Sequence, residues 1–92
     1  MSAPLNENES LFTFPCMFPL KIMGLTQDNF APTVTQIIRQ YAPDFDPATM
    51  EMRPSKTGKY LSLTCSIRAT SKNQLDDLYR VLSSHPLIKT VL

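Results

Sequence analysis

Arg53-Pro54-Ser55-Lys56-Thr57-Gly58-Lys59-Tyr60-Leu61-Ser62-Leu63-Thr64-Cys65-Ser66-Ile67-Arg68-Ala69-Thr70 is the stretch whose reading decides the fold. From Tyr60 onward it alternates. Leu61, Leu63, Cys65, Ile67 and Ala69 fall on one side, and Tyr60, Ser62, Thr64, Ser66 and Arg68 on the other. A period of two marks a strand with one buried and one wetter face. Lys56-Thr57-Gly58-Lys59 ahead of it is turn chemistry, because glycine takes the positive φ of a tight hairpin at no steric cost. The stretch therefore reads as a β-hairpin whose second strand lies inside a sheet.

Working backward, Thr49 to Ser55 is the first arm of that hairpin, with Met50 and Met52 inward and Glu51 and Arg53 outward. Asp44 to Ala48 is a loop. Before it, Phe30, Val34, Ile37, Ile38 and Tyr41 recur at helical period, an apolar stripe on a helix that Asn29 caps and Ala42-Pro43 stops. Met17 to Met23 is the first strand, ended by Gly24, with Phe18, Leu20 and Ile22 on one face and Met17, Lys21 and Met23 on the other. Pro19 interrupts it. Proline donates nothing to a ladder, so it sits where the strand has lost a neighbour or at a bulge.

Working forward, Ser71 and Gln74 have the spacing of a capping box, and Leu75, Leu78, Tyr79 and Leu82 form the buried stripe of a second helix. Leu87 to Leu92 is a final edge strand guarded by Lys89. The order β-α-β-β-α-β predicts an α+β, ferredoxin-like sandwich: a four-stranded antiparallel sheet in order 4-1-3-2 with two helices on one face. Residues 1–13 are read as a tail and 14–92 as one domain.

Composition narrows the function classes. Net charge is +1, which gives no global field to draw in nucleic acid or anionic membrane. No apolar run approaches the ~20 residues of a transmembrane helix. The polar, acidic start has no basic n-region, so no signal peptide is predicted. Cys16 and Cys65 lack any CxxC or Cys/His spacing and fall on inward strand faces, as free thiols in a reducing cytoplasm do. No cofactor or metal site is predicted. His85 is the only histidine and sits at a helix terminus, while Asp76 and Asp77 point in different directions. No nucleophile, base and carboxylate converge, so the chain is not expected to be an enzyme.

Two candidate sites remain. The first is the loop after strand one, Met23, Gly24, Leu25, Thr26, Gln27 and Asp28, where a glycine lets the backbone approach a small metabolite closely. Gly24 also serves simply to end the strand. The second is the open sheet face, with Lys21, Arg53, Tyr60, Ser62, Thr64, Arg68 and Lys89, joined by Met23, Ser66 and Val91. Such a face is solvated, covered by a second copy or a partner protein, or used for RNA. RNA is the weaker alternative, because an RNA-reading sheet stacks bases on two or three exposed aromatics and here only Tyr60 qualifies.

At these residues a family resemblance enters. Phe14-Pro15, Lys21, Met23-Gly24, Ala42-Pro43, Pro54-Ser55, Gly58, Tyr60, Ser62 and Val91-Leu92 resemble the YbeD family of short bacterial proteins of unassigned function. P-S-x-x-G-x-Y-x-S, Pro54 to Ser62, is the most specific piece, and the resemblance covers roughly residues 12 to 92. It implies an ACT-like fold and a regulatory role with a link to lipoate metabolism. It carries over no catalytic residue. Pro19 departs from the family's pattern.

Overall fold

The computed structural model describes residues 13–92. Most of the residues read as a tail, 1–12, lie outside the described residues. Strand β1 spans Cys16–Leu25, helix α1 Phe30–Tyr41, strand β2 Glu51–Pro54, strand β3 Tyr60–Ala69, helix α2 Lys72–Ser84 and strand β4 Ile88–Val91. The four strands form one antiparallel sheet in the order β2-β3-β1-β4, the predicted topology. The two long strands pair over their full length, from Cys16 opposite Ala69 to Leu25 opposite Tyr60.

The core is built as the alternation dictates. Leu20 and Ile22 of β1 and Leu63, Cys65 and Ile67 of β3 meet Phe30, Val34, Ile37 and Ile38 of α1 and Leu78 and Leu82 of α2. Phe18, Leu61 and Leu75 pack against this cluster without being fully covered. Cys16 is only half-buried, because it lies at the very start of β1, whereas Cys65 is sealed.

Pro19 pairs opposite Ser66, and the side that lacks a donor faces away from β3. The backbone of Lys21 exchanges both hydrogen bonds with Leu92 (3.1 and 2.8 Å), so residues of the same parity turn their amides toward β4. β4 reaches no further than that pair. Two residues earlier, Pro19 therefore forfeits no ladder bond. Among the described residues, the strand has no neighbour on that side there. The bulge is elsewhere: register shifts between Met23 and Gly24, where Lys89 and Thr90 together oppose Met23.

That bulge corrects one face assignment. Strict alternation puts Val91 beside Lys89 on the open face, but the extra residue turns Val91 inward, opposite Ile22, and buries it with Ile88. The edges bring further corrections. Met52 pairs with Leu63 on the helix side yet is 58% exposed. All four β2 residues are exposed, so the helices do not extend over this edge strand. The segment before it is a 3-10 turn, Pro47–Thr49, and not strand; Asp46 caps it by accepting from the Ala48 amide (3.0 Å). Phe45, read as loop, is buried in the same core cluster together with Ala42. Tyr79 is 47% exposed rather than part of the buried stripe, and its hydroxyl donates to the Val91 carbonyl (2.8 Å).

The caps follow local chemistry with two departures. Asn29 makes no side-chain cap; the Phe30 amide bonds to the Gln27 carbonyl instead. Ser71 does cap α2, accepting from the Gln74 amide (3.1 Å). Gln74, however, does not return to Ser71. Its carbonyl oxygen accepts from the Thr70 amide (2.6 Å) and its amide donates to the Tyr41 carbonyl (2.7 Å). It thereby satisfies an orphan carbonyl in the last turn of α1 and ties the two helices together.

Candidate functional site

Both helices lie on one side of the sheet, so the other side of β1 and β3 stands open. Register places its side chains in rows across the strands. Thr64 lies between Lys21 of β1 and Glu51 of β2; Ser62 lies between Met23 and Arg53; Tyr60 faces Leu25; Arg68 faces Met17. Ser62 and Thr64 are half-buried with no helix above them, because longer neighbours in the same rows shelter them. Met17 is 65% exposed, Met23 36% and Leu92, opposite Lys21, 71%.

In the middle of this face is a shallow groove of about 220 Å³ lined by Lys21, Met23, Arg53, Pro54, Ser55, Tyr60 and Ser62. Five of the seven residues read from the sequence as an interaction face are at the groove or in the adjoining row: Lys21, Arg53, Tyr60, Ser62 and Thr64. Arg68 stands two rows away beside Met17, and Lys89 sits on the bulge. Among the described residues the ion pairs are Lys72–Asp76 and Arg80–Asp77, both on the outside of α2. Among the described residues, no acidic side chain forms an ion pair with Lys21 or Arg53. The face also carries one acid, Glu51, which shares the row of Lys21 and Thr64 and was legible from its parity with Arg53.

The hairpin motif has a structural account. Gly58 adopts φ +79° and its amide bonds to the Ser55 carbonyl (2.9 Å). The Ser55 hydroxyl accepts from the Tyr60 amide (3.0 Å), and the Lys59 ammonium sits 5.6 Å from the centre of the Tyr60 ring. This fixes the corner from which Tyr60 overhangs the groove.

The same corner meets the loop after β1. The Thr26 amide donates to the Lys59 carbonyl (2.9 Å) and its hydroxyl to the Gly58 carbonyl (2.7 Å). Thr26 thus latches the loop to a hairpin 32 residues away, a link with no local sequence signal. Gly24 is close-packed by the protein itself: a side chain there would meet the Phe30 ring at 2.6 and 2.8 Å and the Leu87 carbonyl. The strand does not end at Gly24 as read from the sequence: Met23, Gly24 and Leu25 pair within β1, so the loop proper begins at Thr26, and Gln27 and Asp28 are exposed in it.

Elsewhere, His85 and Cys65 have structural places. His85 accepts from the Leu87 amide through Nδ1 (3.1 Å), a turn contact at the end of α2. Burial pushes the Cys65 thiol up from 9.0 to about 12, which makes it a neutral core side chain. Among the described residues, no three His, Cys, Asp or Glu side chains gather to hold a metal, and no helix is long and apolar enough to cross a membrane.

The profile of the family described as "Protein of unknown function (DUF493)" matches residues 9–92. The chain belongs to the DUF493 family. A UPF0250 protein of Nitrosomonas europaea is 54% identical to this DUF493 chain over 84 residues, 91% of this chain and 97% of that protein. A UPF0250 protein of Ralstonia nicotianae is also 54% identical over 84 residues, 91% and 87% of the two chains. These bacterial relatives agree with the YbeD-like resemblance of the sequence. In structure, the DUF493 chain is similar to protein HP0495 from H. pylori, with TM-score 0.75, 16% identity and coverage of 100% and 97%. It is also similar to the ACT domain from GTP pyrophosphokinase of Chlorobium tepidum, with TM-score 0.66, 15% identity and coverage of 87% and 86%. At these identities the two structures speak for an ACT-like fold alone.

Proposed function

We propose that this chain is a non-catalytic regulatory module of the cytoplasm that works by presenting its open sheet face to another protein chain. One observation carries the reading. The face no helix covers combines exposed Met17, Met23 and Leu92 with Lys21 and Arg53, cations that no described acid pairs. Flexible, polarisable methionines suit a surface that adapts to a partner, and apolar residues among polar ones suit an interface. The ACT-like topology fits a regulatory role by analogy of fold. The YbeD resemblance points that regulation toward lipoate metabolism. The loop from Met23 to Asp28 supports a metabolite site less well, since the Thr26 amide already has a partner and Phe30 fills the space over Gly24.

Methionine footprinting tests the docking reading. Peroxide should oxidise Met17, Met23 and Met52 readily in the dilute purified chain. In extract of the native host, Met17 and Met23 should become protected while Met52, exposed on the opposite side, stays reactive. Protection that appears in the purified chain as its concentration rises would identify a second copy as the occupant. Equal reactivity of all three methionines in extract, together with a thermal shift from lipoate or an amino acid, would overturn the docking reading in favour of a metabolite sensor.

A further inference from the structure

We propose that the groove between Lys21 and Arg53 is an anion socket that receives one carboxylate from an acidic segment of a different protein. The inference rests on the docking reading above and names the chemistry of the partner.

Size decides between a whole ligand and a single side chain. Sites that enclose small molecules run to about 300–1,000 Å³ and bury most of the ligand. This groove holds about 220 Å³ and is open to solvent, room for one side chain and its carboxylate. Its chemistry is that of an anion site. Lys21 and Arg53 flank half-buried Ser62, with Thr64 and, opposite it, Glu51 in the adjoining row outside the groove; Tyr60 and Met23 supply apolar contact for the stem of the incoming side chain. From strand spacing and rise, the Cα atoms of Lys21 and Arg53 lie about 12 Å apart, two strands across and two residues along. Two long cationic side chains at that separation reach one carboxylate from opposite sides. A guanidinium offers two parallel donors to it and an ammonium a point charge.

Charge also decides against a second copy. A face-to-face pair would bring Lys21, Arg53, Arg68 and Lys89 against the same four cations, with Glu51 as the one acid on each described face. Like charges opposed across an interface cost affinity, whereas a segment rich in Asp or Glu gains. Met17, further along β1, and Leu92, on the far side of Lys21 from the socket, then meet apolar residues beside the acid in the partner.

The test is an NMR titration of the isotope-labelled chain with a short acetylated peptide alternating glutamate and leucine. Its glutamine counterpart and an oligouridine RNA serve as comparison probes. The glutamate peptide should shift the amides of Lys21, Met23, Arg53, Ser62 and Thr64. Its affinity should fall with added salt and drop about tenfold, 1.4 kcal/mol, in Lys21→Ala and in Arg53→Ala. Both side chains are exposed, so both variants keep the fold. Equal binding of the glutamine peptide to the same amides would overturn the anion socket while leaving the docking face standing. No shift with either peptide, in a chain that sediments as a dimer through this face, would also overturn it in favour of a second copy. Tighter binding of the RNA than of the glutamate peptide, at the same residues, would overturn it in favour of nucleic acid.

Discussion

Leu63 and Thr64 are consecutive residues of β3 that answer to different demands. Leu63 is wholly buried between the sheet and the two helices, opposite Ile22. Thr64 lies on the open face between Lys21 and Glu51, sheltered only by its neighbours. One strand thus carries two alternating messages. The closed face is where the free energy of folding is concentrated, because each side chain there is covered by many others. The open face adds little to stability and is free to be shaped by what binds it. That division is why the alternation specifies the fold so clearly and the activity so poorly.

The comparison breaks first at Leu63. Leu63→Ala should lower stability by about 2–5 kcal/mol in urea unfolding; a loss near zero would mean the two faces had been exchanged. Next comes Gly24, which follows Leu20 and Ile22 on the closed face but has no room for a side chain. Gly24→Ala should cost about 1–3 kcal/mol, since the Leu87 carbonyl is backbone and yields only if the turn leading into β4 moves. A neutral result would mean that Phe30 swings away freely, and the loop would then have space for a ligand.

Cys65 gives the closed face a pH signature. Its thiol is held neutral in the folded chain up to about 12, while an unfolded thiol ionises from 9.0. Above the lower value the unfolded state binds fewer protons, so the stability present below pH 9 declines as pH rises toward 12. The slope contributed by this group is at most about 1.4 kcal/mol per pH unit. Subtracting the profile of Cys65→Ala isolates its contribution from that of the rest of the chain. An identical slope in the variant would show that the thiol is not sealed. The smallest effect belongs to the open face. Thr64→Val should change stability by no more than about 0.5 kcal/mol, and a larger loss would show that this hydroxyl serves the fold and not a partner.

How much of this was legible depends on how far each cause lies from its effect along the chain. The β3 alternation, the α1 stripe at Phe30, Val34, Ile37 and Ile38, and the positive φ of Gly58 are written within a few residues, and all were readable. Met52 has the right parity, but sequence does not say how far a helix extends over an edge strand. Val91 was misplaced because a single bulge opposite Met23 inverts everything after it, and nothing in Ile88 to Val91 announces one. Phe45 lies in a stretch with no period at all. For the candidate site, Lys21, Arg53, Tyr60 and Ser62 could be gathered from topology and parity alone. The Thr26 latch could not, since its partners are reached only once the sheet has formed.

Pro19 has a bearing on the direction from which anything can approach. The outer margin of β1 runs on past the point where β4 stops, and a margin of that sort normally offers regularly spaced donors to a passing chain. Here the first outward position beyond the Lys21–Leu92 pair is Pro19, which has no amide hydrogen to donate. A strand laid alongside would meet a missing rung, so lengthening the sheet from that corner is disfavoured by covalent structure rather than by charge. At that corner the described residues favour approach onto the broad side of the sheet, over the rows of side chains, above pairing along its rim.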